Sequence, residues 1–396
     1  MTPATTRDER ARRLVQHLAR LDAGAAAAPD SVRMVRAPGR VNLIGEHTDY
    51  NLGYVLPVAI SLETWIASAP RDDSRVAIVS LQEPGEQDFD IDQPGPPKGT
   101  WRDYVAGIVR MLSERGVRLR GVTAVVDSEI PLGSGLSSSA ALELAAAWTL
   151  SEALPPLAPM ELARVAQRAE NEYVGVQSGL MDQFASVHGV AGAALLFDCR
   201  SLAYSTVPLP NGLRLVAIDT RSSHRLASSE YNARRGRCEL GVARLATRYN
   251  GVTSLRDVTP EMLRDSGDLL DDETRRRCTH VVEENRRVLE AVDALRAEDL
   301  DAVGRLFAES HASLRDLYEV SSTELDALVD IAMRVEGVVA ARMTGAGFGG
   351  CTVNLVHEDA LGPLRAAVDR EYPRLSGRDA GFYVVDAVGG AGLLDA

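Results

Sequence analysis

Lysine is almost missing from this chain: Lys98 stands alone among 396 residues, against 42 arginines. It lies in a loop-like run, Gln93-Pro94-Gly95-Pro96-Pro97-Lys98-Gly99. A Walker-A loop, which needs Gly-Lys-Ser/Thr, is therefore excluded, as is the strand lysine of a protein kinase. Pyridoxal and Schiff-base chemistry fall away too, because both need a lysine nucleophile. Apolar runs stay short, such as the eight residues Val190–Phe197. A membrane-spanning helix needs about 20, so no membrane partner is expected. Basic charge is in deficit, with a net charge of −13 and no long basic run, so a nucleic-acid partner is not expected. Cysteine is scarce and scattered: Cys199, Cys238, Cys278 and Cys351 show no CxxC spacing. They read as thiols in a reducing compartment, which points to the cytoplasm. The first 15 residues are charged and lack an apolar leader core, so a secretory signal is not expected.

What remains is an ordinary globular composition, 45% hydrophobic and 25% charged, which rules out disorder and collagen. The length allows two to three domains at about 150 residues each. Leu14, Val15, Leu18 and Leu21 mark an amphipathic helix over 6–22, ended by the Ala23–Pro29 stretch. Val32, Met34 and Val35 open a strand that leads into a Pro38-Gly39 turn. Alternating segments 63–69 and 75–81 read as strands, and the proline- and glycine-rich run 83–100 as a surface loop. Helices are expected at 101–115, 140–152 and 161–173, and strands at 122–126, 193–197 and 214–219. A helical zone follows at 227–247, 260–266, 272–297, 301–317 and 323–334. Strands at 338–343 and 351–357, a helix at 360–371 and a strand at 381–388 finish the chain. Strands and helices mix without strict alternation, which predicts the α+β class in two lobes. The boundary is placed near 198–210, giving lobes of about 1–200 and 201–396.

Three segments carry chemistry. In Arg36–Tyr50, an apolar run feeds into Glu46-His47-Thr48-Asp49, and the apolar run Tyr54–Ile60 follows. Polar groups set between buried segments must find partners. Glu, His and Asp offer several acceptors and an adjustable donor, which suits a ligand rich in hydroxyls. A capped turn with a structural histidine, or a metal site, fits the same letters. The second segment, Pro131-Leu132-Gly133-Ser134-Gly135-Leu136-Ser137-Ser138-Ser139-Ala140, lies between an expected strand and helix. Its glycines let backbone amides approach an oxyanion at a helix start, and a serine could ligate magnesium. The alternative is a small-residue loop with a serine N-cap. Ser138 departs from GxGxxG, so a dinucleotide site is disfavoured. The third segment, Met343–Cys351, puts four glycines into Gly345–Gly350. It reads as a hairpin turn or as backbone approaching a ligand. Glu170 and Asp182 add carboxylates on helix-like segments, the latter in an apolar context.

In this order, the three segments resemble the three motifs of the GHMP kinases, and Gly39–Asn51 resembles the galactokinase signature in particular. Ser228-Ser229-Glu230-Tyr231 through Arg234-Arg235 is similar to that family's tyrosine segment. Glu309-Ser310-His311 through Ser321 is similar to its C-lobe helix region. The resemblance implies a two-lobed GHMP fold of mixed sheets and flanking helices, with the active site between the lobes. It implies ATP-dependent phosphorylation of the anomeric hydroxyl of galactose. By matching position, Glu46, His47, Asp49, Gly179 and Tyr231 would bind the sugar, while Asp182 and Arg40 would be catalytic. Gly133, Ser134, Gly135, Leu136, Ser137, Ser138 and Ser139 would wrap the ATP phosphates, and Ser139 with Glu170 would hold Mg2+. Thr344–Gly350 would support the phosphate loop and the sugar pocket.

The physics agrees with this picture. Phosphoryl transfer needs positioning and charge neutralisation more than covalent help. Arg40 supplies a permanent charge, favouring an ionised Asp182 as base or acceptor. Leu52 and Ser178 depart from residues common in the family, a glycine-like residue and a cysteine. Other readings are a kinase for arabinose or N-acetylgalactosamine, and a galactose/ATP sensor without turnover. The intact Ser137-Ser138-Ser139-Ala140-Ala141 stretch argues against the sensor. A monomer is the expected state.

Overall fold

The structure, a computed structural model, describes residues 6–24, 31–223 and 227–394. In chain order the first half runs α1 (Arg7–Leu21), β1 (Arg33–Asn42), β2 (Tyr54–Val55), β3 (Pro57–Pro70), β4 (Arg75–Ser80), β5 (Gln87–Asp90), α2 (Arg102–Glu114), β6 (Val122–Ser128), α3 (Ser138–Leu150), α4 (Pro159–Arg168), α5 (Met181–His188), β7 (Ala193–Asp198) and β8 (Tyr204–Pro208). The second half runs β9 (Leu213–Ser223), α6 (Ala227–Ala246), α7 (Pro260–Arg264), α8 (Asp272–Arg296), α9 (Leu300–Ser313), α10 (Thr323–Met333), β10 (Val338–Met343), β11 (Gly349–His357), α11 (Leu361–Ser376), β12 (Gly381–Val385) and β13 (Gly392–Leu393).

A mixed six-stranded sheet has the order β13-β1-β3-β6-β4-β5, with β4 and β6 parallel and the other pairs antiparallel. A four-stranded antiparallel sheet, β10-β11-β9-β12, organises the second half, and β2-β7-β8 form a third sheet. The last strand returns to the first sheet, pairing Leu393 with Val35. One apolar cluster joins Val41, Leu43, Leu136 and Ala141 of the first half to Val288, Phe307, Ala340 and Leu355 of the second. The two halves therefore share a core.

Helix α1 starts at a capping box in which Thr6 and Glu9 satisfy each other's backbone N–H groups. It buries Leu14 and Leu18, each contributing about 1.5–3 kcal/mol. Residues 25–29 of the run expected to end it lie outside the described residues. Three expectations need correction. Pro38 and Gly39 make no turn; β1 runs through them with a register shift. Proline has no N–H for a ladder, and β13 pairs only with Val35 and Arg36, so the bulge sits where β1 becomes an edge. The surface loop 83–100 contains strand β5, held on β4 from Arg75–Asp90 to Ile78–Gln87. The strand expected at 63–69 is longer, 14 residues from Pro57 to Pro70 as β3, and takes in the end of the apolar run Tyr54–Ile60.

Candidate active site

Gly39 lets the second glycine-rich segment lie across β1. A Cβ at Gly39 would sit 2.6 Å from Leu136 O, and Arg40 N–H donates to that same oxygen at 3.1 Å. Gly133 and Gly135 take positive φ values of 68° and 75°, which only glycine adopts without strain. Leu136 itself points into the core. Ser134 Oγ donates to Pro131 O at 2.7 Å, so Ser134 shapes the loop from within.

Ser137 occupies the N-cap of α3 but makes no side-chain cap. Its hydroxyl goes instead to Asp182 Oδ2, at 2.5 Å. The first amides of α3 thus lack a side-chain cap at the end where a helix favours negative charge. Arg40 grips the other carboxylate oxygen: Nη2 lies 2.7 Å and Nε 2.9 Å from Asp182 Oδ1. Arg40 Nη1 donates to Gly135 O at 2.5 Å, so one buried guanidinium ties the 133–139 loop to Asp182.

Arg40, Glu46, His47, Asp49, Gly179, Asp182 and Tyr231 line one cavity of about 210 Å³. All seven expected sugar and catalytic residues therefore meet. Glu46 Oε2 lies 2.5 Å from Arg342 Nη1, and Oε1 accepts from Gly345 N–H at 3.2 Å. His47 takes φ 63° and sits among Tyr50, Tyr231 and Tyr318. Burial holds its imidazole down at about 3, so the ring is neutral. Nε2–H then donates to Ala346 O at 3.2 Å, and Nδ1 accepts from Tyr50 Oη at 2.8 Å. Both nitrogens are engaged within the protein, so His47 offers the cavity a ring face. Burial, reinforced by the neighbouring Asp182, raises Asp49 to about 6. Leu52, at φ 58°, occupies a left-handed position that explains why glycine-like residues suit it.

The third segment wedges between the two loops. Thr344 Oγ1 accepts from Asn42 N–H at 3.0 Å. A Cβ at Gly345 or Gly350 would press on the backbone oxygens of Gly135 and Ser134, at 2.9 and 2.7 Å.

Ser139 Oγ donates to Glu170 Oε1 at 3.1 Å, and Ser178 Oγ and Gln183 Nε2 donate to Oε2 at 2.5 and 3.0 Å. Glu170 is buried close to Asp182, and its partners here are hydroxyls and an amide. A buried carboxylate without a guanidinium calls for positive charge, so the donor set fits a hard divalent cation. Among the described residues no group of three or more His, Cys, Asp or Glu could cage a metal alone. That suits an ion shared with phosphates. Glu143 lies beside this pair. Gln183 Nε2 donates to its Oε2 at 3.1 Å, and burial raises its carboxyl well above the usual range.

Sequence reading missed a second cavity, of about 250 Å³, on the other side of the 133–139 loop. Gly133, Ser138 and Ser139 line it together with Trp101, Tyr104, Gln82 and Leu142. Only the aromatic pair in the α2 start could have signalled it. Arg342, Tyr50 and Tyr318 were missed as well: Tyr50 and Tyr318 lie inside the matched segments 39–51 and 309–321 but were given no role, and Arg342 stands one residue before the third segment.

Comparison with known proteins agrees with this geometry. The model of the GHMP kinases N terminal domain matches residues 103–190, and that of the GHMP kinases C terminal matches residues 291–374. The galactokinase galactose-binding signature matches residues 24–70. A galactokinase of Roseiflexus sp. (strain RS-1) is 46% identical over 361 residues, 91% of this chain and 92% of its own. One of Chloroflexus aggregans (strain MD-66 / DSM 9485) is 47% identical over 87% of this chain and 89% of its own. The crystal structure of Lactococcus lactis galactokinase complexed with galactose superposes with a TM-score of 0.90 at 38% identity, covering 96% of this chain and 100% of that one. Methanococcus jannaschii mevalonate kinase shares the fold at a TM-score of 0.63 and 17% identity, over 90% and 98% of the two chains.

Proposed function

This chain belongs to the galactokinases, ATP-using sugar kinases of the GHMP kinase fold, and we propose that it transfers the γ-phosphoryl group of ATP to the anomeric hydroxyl of D-galactose through Asp182 and Arg40. The observation that carries this reading is the placement of Asp182. One carboxylate oxygen faces Ser137 of the phosphate loop, the other faces Arg40, and the group opens on the cavity of Glu46, Asp49 and Tyr231.

The sugar sits in that cavity with its anomeric hydroxyl toward Asp182. Asp182 accepts the hydroxyl proton as the sugar oxygen bonds to the γ-phosphorus and the bond to the ADP oxygen breaks. Arg40 holds Asp182 in place and offsets charge that develops beside the phosphate loop. Amides of 133–139 hold the phosphates at the start of α3, and the Trp101–Tyr104 cavity takes the nucleoside. Ser139 and Glu170 would hold Mg2+, and the ion would supply positive charge to the phosphate oxygens. Four buried free thiols support a reducing, cytoplasmic setting. We further propose that the chain acts as a monomer, with lobes divided near 198–210. The test is ADP release against a panel of hexoses and pentoses: galactose ranks among the best substrates, and a panel led by another sugar overturns the assignment.

A further inference from the structure

The loop that presents Glu46, His47 and Asp49 is fastened from below by one face of a helix more than 200 residues further along the chain. Helix α8 places His280, Glu284 and Val288 at i, i+4 and i+8, a single stripe. His280 Nε2 lies 3.2 Å from Glu46 O, and Nδ1 lies 2.8 Å from Ser313 Oγ. Glu284 Oε1 accepts from Gly45 N–H at 3.0 Å and from Ser310 Oγ at 2.6 Å. Its other oxygen accepts from Arg287 Nε at 2.7 Å. Val288 closes the space beside Gly45, where a Cβ would sit 2.9 Å from Val288 Cγ2. Asn285 Oδ1 accepts from Tyr54 N–H at 2.8 Å. Arg342, from β10, joins Glu46 Oε2 at 2.5 Å to Leu43 O at 2.9 Å, and its Nη2 lies 3.9 Å from Glu284 Oε1.

His280, Glu284 and Arg342 are fully buried, and none of them lines the sugar cavity. Their bonds converge on residues 43–46, and that of Asn285 on Tyr54. Gly45 takes φ 106°, a backbone shape open to glycine, in a space where a Cβ would meet Tyr54 O at 2.7 Å and Val288 Cγ2 at 2.9 Å. Burying several charges is a poor route to stability alone, and here Glu284 and Arg342 end on residues 43–46, with Arg287 pairing Glu284 from behind. Although burial opposes it, nearby Arg287, His280 and Arg342 hold Glu284 down at about 2, so its carboxylate stays ionised, while burial lowers His280 to about 4, so its ring is neutral at pH 7.

We propose that Glu284, with His280 and Arg342, positions the sugar loop and thereby sets galactose affinity without touching either substrate. This rests on the galactose reading above. The experiment compares wild type with Glu284→Gln and the milder Ser310→Ala. It reads galactose and non-hydrolysable ATP-analogue binding by calorimetry, and amide hydrogen exchange at 43–54 and 133–139. Glu284→Gln weakens galactose at least about tenfold and leaves the nucleotide within about twofold, because one loop has lost its hold. Exchange quickens at 43–54 and not at 133–139. Ser310→Ala moves the same readouts in the same direction by about threefold, and it carries the test alone if Glu284→Gln does not fold. Unchanged galactose affinity in a folded variant, or equal weakening of both ligands, overturns the clamp. If wild type binds nucleotide but not galactose, the substrate reading fails, and the exchange pattern by itself decides the clamp.

Discussion

Gly179 lies so close to Asp49 that a Cβ in place of its hydrogen would stand 1.8 Å from Asp49 Oδ2. Two residues 130 positions apart thus share one small volume at the wall of the cavity that Arg40 and Asp182 also line. Gly179→Ala must push the Asp49 carboxylate aside. The KM for galactose should rise at least about tenfold while the KM for ATP stays near wild type, a split expected when binding to one substrate is lost. Steady-state kinetics with each substrate varied in turn would show it, and equal change in both constants would contradict the contact.

Asp182 has two donors, Ser137 Oγ and Arg40. Asp182→Asn keeps the shape and removes the proton acceptor. Turnover should fall by about 10²- to 10⁴-fold, the usual worth of a positioned base. Binding of galactose and nucleotide, read by calorimetry, should survive. Near-normal turnover would remove Asp182 from the chemistry.

Asp49 titrates at about 6 in the folded chain against an ordinary 3.8, raised by burial and by Asp182. Between those values the folded state holds a proton that the unfolded state has released, so this group's contribution to stability falls as pH rises through that window. Function runs the other way if the carboxylate accepts a sugar hydroxyl: kcat/KM for galactose should drop as pH falls through about 6. Asp49→Asn should flatten that acid limb. His47, held at about 3, should add no limb above pH 5.

Ser139 and Glu170 stand 3.1 Å apart, with no metal cage of three or more ligands among the described residues. Chelating divalent cations should abolish ADP release and spare galactose binding. Glu170→Gln should raise the Mg2+ concentration needed for half-maximal rate by about tenfold or more, as loss of a charged ligand does. An unchanged Mg2+ requirement would move the ion elsewhere.

Glu143 is a buried acid whose Oε2 accepts from Gln183, with burial and then Glu170 raising its carboxyl well above the usual 4.5. Above pH 4.5 the folded state keeps a proton that the unfolded state gives up, so this group weakens the fold as pH rises. Glu143→Gln keeps the acceptor and removes that cost. It should match wild type in melting temperature near pH 4 and equal or exceed it at pH 8. A clear loss at pH 8 would mean that the ionised form is needed.

Much of this was legible beforehand because the motifs are local. Four polar residues between apolar runs, a Gly-Ser loop before an alanine-rich helix and a glycine-rich turn each announce themselves within a few positions. The comparisons bear out the α+β kinase fold and the galactokinase activity that the motifs implied. Helices and strands with strong periodicity, α1, α8 and β6 among them, fell where the pattern placed them. Pro38-Gly39 misled because a proline-glycine pair usually turns. Here a neighbouring strand stops short and a loop crosses at Gly39, and neither event is written in nearby residues.

Sequence alone determined which chemical groups are available: no lysine for phosphates, glycines and serines in its place, and acids and an imidazole for hydroxyls. Tertiary structure decided what those groups are free to do. It engaged both nitrogens of His47, turned the hydroxyl of Ser137 from its own helix to Asp182, and set Glu284 beneath Gly45. The reason is that a hydrogen bond depends on distance and direction in space, and packing brings together atoms that lie hundreds of residues apart along the chain.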